Sequence, residues 1–548
     1  MDITSACGAD NPGSNPGRGA INLYIPSEVV ETMTEKVTDA SQKQQATAQQ
    51  VNIFAAKEIA NFVRSTLGPM GMDKMLVDQA GDTIVTNDGA TILRTMNVTH
   101  PTAKMIIEVA RTQEENCYDG TTSSIILTGE LMKQAEGLLS KKIHPTMIVK
   151  GFKLAASEAE KALEEIVVKE DLMTVAKTAM TGKSAESDKE SLADICVEVA
   201  QAAKIADISV IKRAGAKVSD STAIAGLLID KSMMHHSMPE VVKDAKIALI
   251  DIDITLPDFA QQVQVQVNNN DAVEEFINKR KAQLQALAEK IIDSGANVVL
   301  CLRDIDKLAV EYLAKNRIYA ARRVAKSDME AVAKATGARI VSAIDDIVSS
   351  DLGSCGLFEE ILVGDEPLIK ITETPSTNAV SVLLRAPTKH VVDEIGRAFD
   401  DAVGVVSLAY TSEQTLAGGG SSYMYLSRKL RNFAATVGGR SQMAVEAFAE
   451  ALEIIPSTLA ENSGLDPLDT LIELRQAHAT DNKKSNFVGV NVYDGGVINM
   501  VDLGVIEPFA VVSQAIQSAA ETAAMILRID NIITAKKLAE IGEDGFHY

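Results

Sequence analysis

The chain has 548 residues, of which 46% are hydrophobic and 23% charged, the balance of a well-packed globular protein. Its net charge of −22 disfavours binding to nucleic acids or anionic membranes, because both are negatively charged themselves. Five cysteines without metal-ligand spacing suit a reducing cytosol, and no apolar run reaches the length of a membrane span. We therefore expect a cytoplasmic protein of several domains with no nucleic-acid or membrane partner.

The N-terminal third predicts a tail followed by helices. Residues 1–45 are rich in Gly, Asn, Pro and Gln, which indicates a flexible tail. From Val51 apolar residues recur at helical spacing as far as Gly68-Pro69, where glycine permits the last turn and proline cannot continue it. The pattern beyond this point predicts a strand at 83–86 and helices from 89, over 101–116, over 123–139 and from 145.

Three glycine-containing clusters stand out in this part of the chain, at 68–71, 87–90 and 119–122. Glycines let backbone N–H groups approach an anion, and a helix that begins at the third cluster points its positive dipole end toward it. Asp88 and Asp119 would repel phosphate unless a cation such as Mg²⁺ or bound water lies between. The pattern indicates a phosphate-and-metal site without a Walker A sequence, and ordinary tight turns account for it equally well.

The rest of the chain predicts a nested arrangement of domains. Strand-like runs alternate with helices from about Ile208 to Thr388, which is typical of an α/β domain. Within it, Leu256–Gln285 is polar and then helical, and we interpret it as an excursion from that domain. Helical sequence resumes afterwards, with short strands on either side of 494–496 and a closing helix over 513–535. One domain is therefore expected to be inserted into another, with the helical ends meeting in space.

Taken together, these motifs resemble those of group II chaperonins, the archaeal thermosome and eukaryotic cytosolic type. The similar segments occur in the family's order, between about residues 48 and 535. They are LGPMGMDKML (67–76), TNDGATIL (86–93), DGTT (119–122), MTGK (180–183), SGANVVLCL (294–302), KSDMEAVAKATGARIV (326–341), AGGG (417–420), LGVIEP (503–508) and QAIQSAAETAAMILRID (514–530).

The resemblance implies the chaperonin fold, a multi-domain architecture of α and α/β parts. A mostly helical equatorial domain, a mixed intermediate domain and an α/β apical domain with a helical protrusion are expected. The implied limits are a tail at 1–45, equatorial segments at 46–166 and 419–548, intermediate segments at 167–235 and 383–418, and an apical domain at 236–382 with its protrusion at about 256–285. The protrusion serves group II rings as a built-in lid, so no separate co-chaperonin is expected.

Members of this family form double rings that enclose non-native proteins and use ATP hydrolysis to close the lid. The resemblance therefore implies an ATP-dependent chaperone subunit with ATP and Mg²⁺ as cofactors. Its implied partners are other chaperonin subunits, identical or mixed, and non-native client proteins. The alternative is a structural or regulatory ring subunit with weak or no ATP turnover.

The matched motifs also imply roles for individual residues. Asp119 would hold Mg²⁺, Asp88 would help position the attacking water, and Asp401 would orient or deprotonate it, with neighbouring Asp400 as an alternative alignment. Lys183 would sense the γ-phosphate. The other implied nucleotide contacts are Leu67, Gly68, Pro69, Gly89, Gly120, Thr121, Thr122, Gly419, Gly420 and Asp502. Without the resemblance, these residues would be interpreted as turns, helix caps or solvated surface.

The sequence departs from the family pattern at three places around the implied nucleotide. Met70 stands where the LGPKG motif has lysine, and Tyr118 stands where GDGTT has its leading glycine. After the triple glycine, Ser421, Ser422 and Tyr423 replace the usual small residue and Glu. The lost lysine removes a positive charge, while backbone N–H donors and the three aspartates remain. We expect ATP binding to be retained and hydrolysis to be slow.

Overall fold

The computed structural model describes residues 48–532, apart from gaps at 78–80, 82, 97, 99, 170, 184–187, 256–269, 377–378 and 481. The predicted tail at 1–45 and the first half of the predicted protrusion lie outside the described residues. Element labels below follow chain order.

The first part of the described chain is helical and carries one two-stranded hairpin. Ile53, Ala56 and Val63 share the buried face of its first helix, as their spacing predicts. Pro101 and Pro145 occupy first helical positions, where the missing N–H costs nothing. The elements are α1 (Ala48–Arg64), β1 (Lys74–Val77), β2 (Thr83–Thr86), α2 (Gly89–Thr95), α3 (Pro101–Cys117), α4 (Thr121–Ser140) and α5 (Pro145–Glu164). The predicted strand at 83–86 and the predicted helices are confirmed.

The middle part alternates strands and helices, so the α/β prediction for 208–388 is confirmed. Two helices precede it, α6 (Leu172–Met180) and α7 (Lys189–Ala202). Its strands are β3 (Ile208–Ala214), β4 (Thr222–Ile229), β5 (Val241–Ile250), β6 (Val298–Cys301), β7 (Tyr319–Ala321), β8 (Ile340–Val341), β9 (Gly353–Val363), β10 (Glu366–Thr372) and β11 (Val380–Ala386). Its helices are α8 (Asn270–Asp293), α9 (Lys307–Lys315) and α10 (Lys326–Thr336).

These strands form one mixed sheet in the order β3-β11-β4-β10-β9-β5-β6-β7, with β8 paired to β5. Strands β5, β6 and β7 run parallel and are connected through α8 and α9, whereas β9 is antiparallel to both β5 and β10. Residues Ile247–Ile250 are buried throughout, as expected for a strand covered on both faces. The predicted alternation did not specify the antiparallel half of the sheet.

Helix α8 runs past the predicted end of the excursion at 256–285. The helix continues to Asp293, and Leu284, Ala288 and Ile291 are fully buried. Ala288 and Ile291 belong to a buried cluster of the α/β region, whereas Ala282 is exposed.

The last part of the chain is helical again, with short strands between the helices. Its helices are α11 (Lys389–Ser412), α12 (Ser421–Val437), α13 (Gly439–Leu452), α14 (Ile454–Asn462), α15 (Pro467–His478), α16 (Met500–Leu503) and α17 (Phe509–Leu527), and its strands are β12 (Thr415–Ala417), β13 (Val488–Val490), β14 (Val497–Asn499) and β15 (Ile506–Pro508). The two short strands predicted around 494–496 are confirmed and pair with each other.

The predicted closing helix over 513–535 is wrong at both ends within the described residues, and 533–535 lie outside them. Helix α17 begins at Phe509, directly after Pro508, and ends at Leu527. The N–H groups of Arg528 and Ile529 donate to the carbonyls of Met525 and Ile526, three positions earlier, at 3.2 and 3.1 Å. This tighter turn ends the helix, although apolar residues continue in the sequence beyond it.

The buried side chains form clusters that follow the nesting of the chain. The first cluster joins residues 53–166 with residues 416–527, so the two helical ends share one core. A second cluster joins residues 175–218 with residues 380–409 and Ile506, and further clusters lie within the mixed sheet. Within the described residues, no helix combines the length and apolar character that a membrane crossing requires.

Candidate functional site

A cavity of about 480 Å³ lies where the first cluster meets the second. One side of it is formed by chain turns at the starts of α4 and α12, and the other side by the end of α6 and by α11. The side chains and backbone that line it come from residues 66–69, 87–88, 118–123, 177–179, 181–183, 418–420, 490–493 and 503–505, together with Glu114, Lys189, Asp401, Tyr423, Ile455, Leu459, Met500, Glu507 and Val511.

The predicted site residues line this cavity, with the exceptions of Gly89 and Asp502. Gly89 is buried as the first residue of α2, and a Cβ there would lie 2.6 Å from the Thr122 hydroxyl oxygen. Asp502 is exposed on α16, while its neighbours Met500 and Leu503 line the cavity. Gly89 therefore allows two segments to approach each other, and Asp502 lies outside the cavity lining.

Asp88 is held at the start of α2 by its own backbone. Its carboxylate accepts hydrogen bonds from the N–H groups of Ala90 at 3.2 Å and Thr91 at 2.9 Å, so it caps the helix. The Thr121 hydroxyl, at the start of α4, donates to Oδ1 of this carboxylate at 3.5 Å, the same oxygen that accepts from Ala90. Asp88 is thus both a cap and a cavity residue, because the cap bonds leave carboxylate lone pairs directed elsewhere.

The turn before α4 gives the cavity a helix N-terminus. Asp119 is not the cap of this helix: the N-cap is Gly120, at φ 78°, and no side chain of the described chain caps it. The Asp119 carboxylate accepts the N–H of Gly120 at 2.8 Å, and its carbonyl accepts from Gln113 at 2.9 Å. The first N–H groups of this 20-residue helix belong to Thr121 and Thr122, which line the cavity. The positive end of the helix dipole therefore points into the cavity.

The triple glycine supplies a second helix N-terminus. Gly420 is the N-cap of α12 at φ 77°, and Gly419 also has a positive φ of 61°. A Cβ on Gly419 would collide with the Met500 sulfur, so the close packing at this corner requires glycine. The Ser421 and Ser422 hydroxyls both donate to the Ala417 carbonyl, at 2.8 and 2.9 Å, and are buried. They serve the helix start and not the cavity.

An ion pair between Lys183 and Asp401 closes the opposite side. The Lys183 Nζ lies 2.8 Å from an Asp401 carboxylate oxygen, although 218 positions separate them in the chain. Burial would lower the pKa of Lys183, but the negative charges of Asp401, Asp119 and Asp88 raise it, so the lysine is cationic. Burial raises the pKa of Asp401 to about 6, against the pull of Lys183. Asp401 is therefore an aspartate that titrates close to neutrality.

Asp400, the alternative alignment, has a different environment. It does not line the cavity, and the positive charge that lowers its pKa is that of Lys212, against the larger effect of burial that raises it. The geometry therefore favours Asp401 as the aspartate that faces the site.

Two further cavity residues were missed by the sequence reasoning. Glu507 lies in the cavity, where burial and then the charge of Asp119 raise its pKa to about 8. Burial, Glu507 and Asp119 also raise the pKa of Tyr423, so its hydroxyl stays protonated. Both can donate a hydrogen bond at neutral pH. Glu507 lies within the LGVIEP segment, so an acidic residue next to proline in a matched motif was the available signal.

The departures at Met70 and Tyr118, two of the three from the family pattern, occupy different places. Met70 is 41% exposed and does not line the cavity. Tyr118 is the C-cap of α3 at φ 59°, lines the cavity, and its ring packs against α11 at Gly404. The expected loss of charge at Met70 therefore lies at the rim, and the bulk of Tyr118 is accommodated by a glycine.

The donor set fits a cation that is shared with phosphate. In the described part of the chain, no three His, Cys, Asp or Glu side chains are grouped so that they could hold a metal by themselves. Asp119 can supply a carboxylate oxygen beside the N–H groups of α4, and the remaining ligands of a Mg²⁺ ion would be phosphate oxygens and water. This arrangement is the usual one for magnesium bound with nucleotides.

Comparison with known proteins places the chain in one family. Residues 59–537 match the model of the TCP-1/cpn60 chaperonin family. The chain is 46% identical over 498 residues to the thermosome subunit beta of Methanothermobacter thermautotrophicus, covering 89% of this chain and 92% of that protein. It is also 46% identical to the thermosome subunit of Methanocaldococcus jannaschii and to the thermosome subunit alpha of Thermoplasma acidophilum, each over 514 residues, 91% of this chain and 94% of the relative. The chain therefore belongs to the TCP-1/cpn60 chaperonin family.

Proposed function

We propose that the cavity binds ATP with Mg²⁺ and that Asp401 activates the water that hydrolyses it. Family membership makes the chain an ATP-hydrolysing subunit of a double-ring chaperonin, and it does not favour the alternative of a subunit without turnover. The observation that carries the proposal for this site is the Lys183–Asp401 pair, which faces two helix N-termini across one cavity.

The phosphates are best accommodated at the start of α4. Gly120, Thr121 and Thr122 offer backbone N–H groups and hydroxyls there, and the helix dipole favours negative charge. Asp119 would hold Mg²⁺, which neutralises phosphate charge when bound. The adenosine end would lie against Gly419, Gly420 and the neighbouring residues Asn491 and Glu507. Leu67, Gly68 and Pro69 form the adjoining edge.

Hydrolysis requires a base close to the attacking water. Asp401 is ionised at neutral pH and is mounted opposite the phosphate-binding turns, so it can accept the proton of a water that attacks the γ-phosphorus. Asp88 is fixed by its cap bonds and can orient the same water through a carboxylate oxygen. Lys183 adjoins the developing negative charge and keeps Asp401 ionised.

We also propose the domain limits that the sequence implies. The equatorial segments, 46–166 and 419–548, are supported by the first cluster, which ends at Ile166 and resumes at Leu416. The intermediate segments, 167–235 and 383–418, are supported by the second cluster, and the apical domain, 236–382, by the clusters of the mixed sheet. On this division Lys183 and Asp401 are intermediate-domain residues, so ATP hydrolysis is coupled to the position of that domain.

The remaining parts of the proposal concern assembly and location. The relatives are named as alpha and beta thermosome subunits, and we propose that this chain likewise assembles into rings of identical or mixed subunits. We propose cytoplasmic location, non-native proteins as clients and lid closure by the apical protrusion without a separate co-chaperonin. The protrusion itself lies largely outside the described residues.

The test is Mg²⁺-dependent ATP turnover by the purified full chain, together with its particle mass under native conditions. We expect a ring-sized particle that releases phosphate from ATP only when Mg²⁺ is present. A stable monomer in the presence of nucleotide, or phosphate release no faster than in buffer, would contradict the proposal.

A further inference from the structure

Tyr118 occupies a backbone conformation that ordinarily selects glycine. It ends α3 at φ 59° and ψ −3°, in the left-handed region, and its N–H donates to the Glu114 carbonyl. An aromatic side chain adopts this conformation at a cost in backbone strain, so its ring should make a contact that offsets the strain. Asp119, the residue proposed to hold Mg²⁺, follows immediately.

The ring of Tyr118 rests on a glycine in the interior of another helix. A Cβ on Gly404 would collide with Cγ, Cδ1 and Cδ2 of the tyrosine, so the ring fills the space that an ordinary side chain would take. Gly404 is buried within α11, where glycine weakens the helix and alanine would be preferred. A tyrosine in a left-handed conformation and a glycine inside a helix are each unfavourable alone. Here the ring of the tyrosine fills the space that the missing side chain of the glycine leaves.

This contact joins the two sides of the cavity. Tyr118 lies between α3 and α4, which pack in the first cluster, yet its ring is half-buried against the second cluster. Gly404 follows Asp401 by three positions, so both lie on the same face of α11. The ring therefore supports the face of α11 that carries the proposed base. It does so from the turn that carries Asp119.

We propose that Tyr118 is a positioning residue that holds α11 over the nucleotide by seating its ring in the notch at Gly404. Tyr118 thus supports ATP turnover, contrary to the expectation that its bulk slows it. The inference rests on the proposed function, in which Asp401 must approach the nucleotide from the intermediate domain.

The direct test is a double-mutant cycle on steady-state ATP hydrolysis by the assembled protein. Because positioning acts on the chemical step, we expect Tyr118→Gly to lower kcat by about tenfold and to leave KM within about twofold. Tyr118→Phe keeps the ring and should retain kcat. Gly404→Ala alone should also lower kcat, because its methyl group displaces the ring, but should have no further effect when combined with Tyr118→Gly.

The glycine variant is a safe probe, because glycine adopts the left-handed conformation readily and should not impair folding. An unchanged or increased kcat in Tyr118→Gly would overturn the inference. So would independent, multiplicative effects of Tyr118→Gly and Gly404→Ala, since a seated ring requires the two changes to be coupled.

A second measurement separates this inference from the proposed function. Amide hydrogen exchange of α11 in the nucleotide-free full chain reports whether the helix is braced, whether or not ATP is hydrolysed. We expect faster exchange at 389–412 in Tyr118→Gly than in the parent protein and in Tyr118→Phe. Unchanged exchange would refute the brace. Absence of ATP turnover in the parent protein, with exchange still accelerated in the variant, would refute the proposed function alone.

Discussion

The two sides of the cavity are built in different ways. On the first side, the carboxylates of Asp88 and Asp119 are each held by backbone N–H groups one to three positions further along the chain, and Gly120 forms the turn that starts α4. On the second side, Lys183 and Asp401 come from distant segments of a separate hydrophobic cluster. The first side is therefore organised before the nucleotide arrives, whereas the second depends on how two cores meet. We infer that binding belongs mainly to the first side and hydrolysis to the second.

Several contacts among the described residues bridge the two sides around the cavity, including a hydrogen bond that the backbone N–H of Ile506 donates to the Thr178 hydroxyl at 3.1 Å. The Asn87 amide donates to the Gly182 carbonyl at 2.8 Å, and a Cβ on Gly182 would lie 2.5 Å from Cα of Pro69. The Tyr118 ring on Gly404 is a further contact of this kind. Because these contacts join the two cores at the cavity, a movement of one core relative to the other would change the geometry of the site.

The largest expected effect is on the second side. Replacing the base with Asp401→Asn should lower kcat by roughly 100-fold or more, the usual contribution of a general base. Phosphate release under saturating ATP and Mg²⁺ measures this. The matched control is Asp400→Asn on the same helix, which should retain most activity because Asp400 does not line the cavity. Equal losses of kcat in the two variants would show that both substitutions act through the stability of α11, and that Asp401 is not a general base.

On the first side, Asp119→Ala should weaken binding of ATP in Mg²⁺ by roughly 10- to 100-fold, the size of one charged interaction. The effect should shrink when Mg²⁺ is replaced by a chelator, because the carboxylate then only repels phosphate. Calorimetric titration with and without Mg²⁺ is the measurement. An affinity that does not respond to the substitution would remove Asp119 from the metal site.

The pH dependence tests the environment of Asp401. Its pKa is raised to about 6, so the base is protonated below that pH and ionised above it. Turnover should therefore fall about tenfold between pH 7 and pH 5, and should be level above pH 7. Lys183→Met should move the midpoint upward, because the lysine charge lowers the pKa of Asp401. A rate that is unchanged down to pH 5, with the particle intact, would argue against a base of this kind.

The smallest effect is expected at Met70. Because this side chain is exposed and outside the cavity lining, Met70→Lys should strengthen ATP binding by about threefold or less, as expected for an exposed charge. Met70→Gln is the neutral control. An increase in turnover of tenfold or more in Met70→Lys would mean that the missing charge limits this subunit.

The sequence was most informative where structure is local. The turns at Gly68-Pro69 and Gly120, the strand at 83–86 and the helix starting at Pro145 depend on neighbouring residues, and each was predictable from them. Apolar spacing also anticipated the α/β region. The closing helix was overextended, because the apolar pattern continues past Leu527, where backbone bonds of Arg528 and Ile529 to carbonyls three positions earlier end the helix.

The parts of the site that depend on packing could not be predicted in this way. Asp401 was placed only through the resemblance, since nothing near it in the chain indicates a cavity. Burial of Glu507 is decided by residues from several segments, so the sequence did not predict it. The fit between Tyr118 and Gly404 joins positions nearly three hundred residues apart in the chain, so Tyr118 appeared alone as a departure from the family pattern and Gly404 was not predicted to matter.

The most direct test of the division between binding and hydrolysis is calorimetric titration of ATP and Mg²⁺ into two variants of the assembled protein, Asp401→Asn and Asp119→Ala. We predict that Asp401→Asn binds within about threefold of the parent protein despite its lost turnover, whereas Asp119→Ala binds roughly 10- to 100-fold more weakly. Comparable losses of affinity in both variants would contradict the account, because they would show that the two sides act as a single binding site.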